Sequence, residues 1–159
     1  MGSLGGNYTA TQNFMDIQEG EFKVLNSANP ASNNEIVYTV PAKTGFMLYG
    51  FASFFTTSAT VGNRLPGLQV EDDNFDIIAR FASGAPQAAS LATILWSWAA
   101  NAPVVNAAII GGTGAGCAAM GIPLLYLPAG YILRTNTQGM VAGDDWTAAS
   151  IYGLEYRQP

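Results

Sequence analysis

The closing stretch of the chain, Leu127 to Tyr156, constrains the fold more than any other. It reads as two β-strands joined by a polar, glycine-containing turn. In the second strand Trp146, Ala148, Ser150, Tyr152, Leu154 and Tyr156 share one parity, and Thr147, Glu155 and Arg157 share the other. Side chains alternate across a strand with period two, so this pattern predicts a sheet with one covered and one wet face. The expected covered face is the one bearing Trp146 and the two tyrosines. A helix does not produce such a pattern.

Strand-sized runs punctuated by turn formers continue upstream. Residues 35–40 (EIVYTV) end at Pro41, and residues 65–72, 75–82 and 91–100 repeat the theme. In residues 91–100, Ile94, Trp96 and Trp98 align on one side. The run 45–57 (GFMLYGFASFFTT) is apolar on both parities, which predicts cover on both faces or a bulge near Gly50. Short strands at this spacing predict an all-β fold, a sandwich or barrel. The segment 101–121 is the least regular and is expected to be an excursion at one end. Residues 1–34 are polar and rich in turn formers, apart from a short strand expected near Phe22–Leu25. The organisation expected is an N-terminal arm and linker over 1–34 and a β-sandwich domain over 35–159. Phe14, Met15 and Ile17 in the arm favour docking on a neighbour over a solvated tail.

Composition narrows the function. Charged residues make up 11% of the 159, against about 25% in ordinary soluble domains, while 49% are hydrophobic. No stretch supplies the roughly 20 apolar residues of a spanning helix, because Asn101, Pro103, Asn106 and several glycines interrupt the best one. No membrane partner is expected, and no secretory signal is visible at the N-terminus. Sparse charge is what the core of an interface looks like, so the surface is expected to be covered by copies of the chain or by a partner. A net charge of −5 and six scattered basic residues argue against nucleic acid.

Catalytic and cofactor chemistry finds little purchase. The chain has no histidine, which removes Ser-His-Asp and Cys-His catalysis and His-ligated metals. Cys117 is alone and is expected to be a small buried thiol. Gly114-x-Gly116-x-x-Ala119 matches a relaxed dinucleotide fingerprint, yet Gly121 and Pro123 would end the required helix after about one turn. Glu71-Asp72-Asp73 with Asp76, and Asp144-Asp145, sit at turns, where carboxylates cap the backbone. No enzyme, cofactor or metal site is expected. Trp96, Trp98 and Trp146 read as packing residues, with sugar stacking as the alternative.

Several stretches also resemble a family. Ala59–Asp72 (ATVGNRLPGLQVED), Leu127–Tyr156 and, more loosely, Val40–Phe54 resemble the small jelly-roll decoration, or cement, proteins of tailed-bacteriophage heads. The resemblance spans most of Val37 to Tyr156. It implies a jelly-roll-like antiparallel β-sandwich with an extended N-terminal arm. It further implies a homo-oligomer, often a trimer, on the outer surface of the virion, bound across junctions between major capsid subunits. Within that reading Phe14, Met15, Ile17, Phe22, Phe51, Phe54 and Phe55 are the expected capsid or subunit contacts. A glycan-binding host-recognition module on the virion surface is the alternative.

Overall fold

The computed structural model describes residues 20–89, 92–102 and 116–157. Thirteen strands make up its regular structure, with no helix among the described residues. They are β1 (Glu21–Asn26), β2 (Val37–Thr39), β3 (Thr44–Thr56), β4 (Asn63–Arg64), β5 (Gly67–Glu71), β6 (Ile77–Ala82) and β7 (Gln87–Ala88). There follow β8 (Thr93–Ala100), β9 (Gly116–Ile122), β10 (Leu125–Leu127), β11 (Ile132–Thr135), β12 (Asp145–Trp146) and β13 (Ser150–Arg157). The all-β expectation holds. A seven-stranded sheet in the order β1-β13-β3-β8-β9, with β10 and β12 also on β3, faces a four-stranded sheet β2-β11-β5-β6. A short β4–β7 ribbon stands beside them.

The 13-residue strand β3 organises the larger sheet. Tyr152 pairs with Gly50 and Gly153 with Leu48, which leaves Tyr49 as the extra residue of a bulge. That bulge resolves the two-parity hydrophobicity of β3. Phe46 and Leu48 point inward before it, and Phe51 and Phe55 after it, all at no more than 1% exposure. Opposite them Ile94, Trp96 and Trp98 of β8 complete the inner layer.

The four-stranded sheet contributes Leu68, Val70 and Leu133 to the same core, and Ile36 and Val40 flank β2. Phe55 packs on Trp146 with ring centroids 4.5 Å apart, and Phe51 meets Trp98 edge-on at 5.9 Å. Each buried indole N–H has an acceptor. Trp96 donates to Gln87 Oε1 at 2.8 Å, Trp98 to the Phe81 carbonyl at 3.1 Å and Trp146 to Thr137 Oγ1 at 3.1 Å. The Trp98 bond crosses from one sheet to the other.

Three expectations are corrected. The last strand buries the opposite parity: Ile151 and Gly153 face the core, and Tyr152, Leu154 and Tyr156 face outward. The cause is the irregular connection Thr147–Ala149, which breaks the alternation between Trp146 and β13; Ala149 is tied down instead by its N–H to Ser27 Oγ at 2.8 Å. Part of the 101–121 excursion is a sheet strand, since β9 pairs parallel with β8 from Gly116 to Ile122. At Pro123–Leu124 the chain steps inward and continues as β10 beside β3, in the row that β8 vacates beyond Gly50. Finally, the strand foreseen near Phe22–Leu25 belongs to the sandwich. It is β1, paired along its length with β13.

Candidate interaction surface

Because paired residues share a face, the register maps the outer side of the seven-stranded sheet row by row. One row is Phe22–Leu154–Met47–Tyr126. The next is Val24–Tyr152–Gly50–Ala99–Gly121, followed by Asn26–Ser150–Ala52–Ser97–Ala119 and then Phe54–Leu95–Cys117. Not one of these side chains is charged. Glu21, Lys23, Glu155 and Arg157 take the other parity, and the first charge on this face is Asp145, opposite Thr56 at its far end.

Aromatic rings lie flat against this surface because glycines make room for them. A Cβ on Gly50 would run into the Tyr152 ring, and one on Gly45 into Tyr126. Tyr126 and Tyr156 meet edge-on at 6.3 Å across that gap. Seating a ring over a glycine fills the pleat and leaves the ring's far side outward. Phe22 (59% exposed), Val24 (60%) and Phe54 (43%) stand out of the same face.

The outer side of the four-stranded sheet is built differently. Its rows are Val37–Arg134–Gln69–Arg80 and Thr39–Ile132–Glu71–Ile77, so charged and amide groups share it with Ile132 and, on its two edge strands, with the exposed Val37 and Ile77. Asn136, just beyond β11, donates to Gln69 Oε1 at 2.8 Å and accepts from Arg80 at 2.8 Å. Gln69 donates to Glu71, and Arg134 reaches the same carboxylate at 3.2 Å. Gln69 and Glu71 are each 3% exposed although they lie on the outer side of their sheet. The polar layer is its own lid.

A third cluster holds the loops together. Arg64 and Asp144 are both fully buried and joined by two bonds, Nε to Oδ2 at 2.9 Å and a terminal nitrogen to Oδ1 at 3.1 Å. The remaining guanidinium donors go to Ser58 Oγ and the carbonyls of Thr60 and Gly62. Asp144 also accepts from the N–H groups of Ser58 (2.7 Å) and Val141 (2.8 Å). Burial pushes its pKa up, but the bonds from Arg64, Ser58 and Val141 outweigh burial and hold it below the usual carboxylate value. With every donor and acceptor used, this is a staple between the 58–64 turn and the 141–144 turn. It offers no group to a substrate.

The expected contact residues divide. Phe22 and Phe54 are exposed on the uncharged face. Phe51 and Phe55 lie in the core with no exposure, because the bulge turns their parity inward. Phe14, Met15 and Ile17 lie outside the described residues. Trp96, Trp98 and Trp146 are also core residues, which withdraws them as a platform for sugar. Cys117 is exposed, contrary to the expected buried thiol. Gly116–Ile122 is a strand where a dinucleotide fingerprint needs a helix, and Asp72 spends its Oδ1 on the N–H groups of Asn74 and Asp76 as a turn cap. Among the described residues no cluster of acidic and sulfur groups is arranged to hold a metal.

The chain matches no family model, no curated protein and no solved structure.

Proposed function

We propose that this protein is a structural component of a virion, which binds the outer surface of a tailed-phage head as a homo-oligomer and cements contacts between major capsid subunits. The observation that carries the reading is the uncharged outer face of the seven-stranded sheet. An exposed apolar face of this extent marks an interaction site in a folded protein. It also accounts for the low charge content of the chain, since charge is missing where a partner is to sit. The resemblance of residues 59–72 and 127–156 to head decoration proteins supplies the setting, a homo-oligomer on the outside of a phage head. A net charge of −5 suits an exterior position rather than a lumen lined with nucleic acid.

Cementing of this kind works by mass action. A protein that binds the assembled shell and not separated subunits stabilises the shell, and many modest contacts act together. The test is quantitative mass spectrometry of purified virions together with rebinding to stripped heads. Copy numbers comparable to the major capsid protein, and saturable rebinding, are expected. A chain present only in the infected-cell lysate would overturn the reading. Deleting residues 1–20 separately tests the arm: loss of head binding by a folded protein is expected if Phe14, Met15 and Ile17 make the contact.

A further inference from the structure

We infer that the partner covering the uncharged face is a second copy of this chain, packed sheet to sheet about a two-fold axis. The inference rests on the assembly reading above and assigns one surface within it.

Electrostatics selects the face through which two copies can meet. Two copies each carrying −5 repel at most mutual orientations. The uncharged rows of the seven-stranded sheet's outer face, short of Asp145 at the far end, are where they can approach without bringing like charges together or desolvating any. A head-to-tail contact would instead set this face against the other side of the sandwich, where the exposed Arg80 and the carboxylates of the Asp72–Asp76 turn would be desolvated against an uncharged surface that offers no counter-charge. Uncharged therefore meets uncharged, and a patch that complements itself generates a two-fold axis.

The size is adequate. Five strand positions at about 4.8 Å, and about eight residues of length at about 3.3 Å, give on the order of 600 Å² in flat projection. Side-chain relief brings this close to the roughly 800 Å² per partner of a standard stable interface. The protruding groups suit the centre of such an interface. Phe22, Val24 and Phe54 project from the face, while Tyr126, Tyr152 and Tyr156 lie over glycine positions between them.

The test is the mass of the isolated full-length chain by light scattering and sedimentation velocity. It is run without capsids, on the wild type, on F22E/F54E, and on V61E as a control at a residue far more exposed than either. The wild type and V61E are expected at twice the 16.7 kDa chain mass at tens of micromolar. F22E/F54E is expected at the single-chain mass, with circular dichroism and thermal midpoint showing that it is folded. If the double variant does not fold, the milder F54S is expected to raise the dimer dissociation constant at least tenfold. A single-chain mass for the wild type overturns the inference, whether the face stays open or the N-terminal residues cover it in cis. A threefold mass, the trimer implied by the family resemblance, overturns the two-fold arrangement. Head binding is scored separately: a monomer that still binds heads sinks this inference alone, and a dimer that ignores them sinks only the cement reading.

Discussion

The two sheets of this sandwich share one core but finish their outer faces in opposite ways. On the four-stranded sheet, Arg80, Asn136, Gln69, Glu71 and Arg134 are linked by hydrogen bonds, so polar groups at 3% exposure are satisfied without a partner. On the seven-stranded sheet the corresponding rows hold mostly Phe, Tyr, Leu, Met, Val, Ala and Gly, with the uncharged Asn26, Ser97 and Ser150 among them, and Phe22, Val24 and Phe54 stand exposed. On one face polar groups are buried within the chain; on the other large apolar side chains stay exposed. The difference teaches that exposure and polarity have to be read together. A buried glutamate on an outer face marks a self-contained layer, and exposed phenylalanines in an uncharged field mark an unfinished one.

That contrast makes separable demands on stability and on assembly. The largest effect is expected away from both faces, at Asp144→Ala, which leaves Arg64 as an unpaired buried cation. Its cost is about 3–5 kcal/mol, read as a drop in the urea midpoint. If Asp144→Ala proves nearly neutral, the polar groups of this molecule are not self-contained. Glu71→Ala comes next. It strips Gln69 and Arg134 of their shared acceptor and is expected to cost about 1–3 kcal/mol, with the assembly mass unchanged. A mass change on Glu71→Ala would break the division of labour between the faces.

Acid gives the third effect. The carboxyl of Asp144 is held below its usual value near 3.8 in the folded protein, so its stabilising contribution is complete above that pH. It is lost as pH falls through the lower folded value. The acid limb of a stability–pH curve is therefore expected to flatten in Asp144→Asn, while the neutral plateau drops. The smallest stability change belongs to Phe22→Glu, within about 0.5 kcal/mol as for surface substitutions generally when measured on the single chain below the association range, although it is the one expected to move the association equilibrium most.

The sequence revealed strands better than faces. The bulge at Tyr49–Gly50 was legible because β3 is apolar on both parities, and the alignment of Ile94, Trp96 and Trp98 foretold their burial. The inverted face of β13 was not, because a three-residue irregularity at Thr147–Ala149 resets the alternation and leaves no mark in composition. Phe51 and Phe54 illustrate the same limit. Three residues apart on one strand, they take opposite faces, and the bulge decides which of the two turns inward. The Arg64–Asp144 staple joins residues 80 apart, and nothing local to either announced it. The uncharged face depends on pairing between strands distant in the chain. Phe22, Leu154, Met47 and Tyr126 become one row only when β1, β13, β3 and β10 are side by side.

Hydroxyl-radical footprinting across a dilution series tests the unfinished face most directly, because it reports cover residue by residue. At high concentration Phe22, Phe54, Tyr126 and Tyr152 are expected to be protected together, and to regain reactivity in parallel on dilution, while Phe75 and Val61 react equally at every concentration. Uniform reactivity of the first group across the series, or protection centred on Phe75 and the four-stranded sheet, would contradict the account.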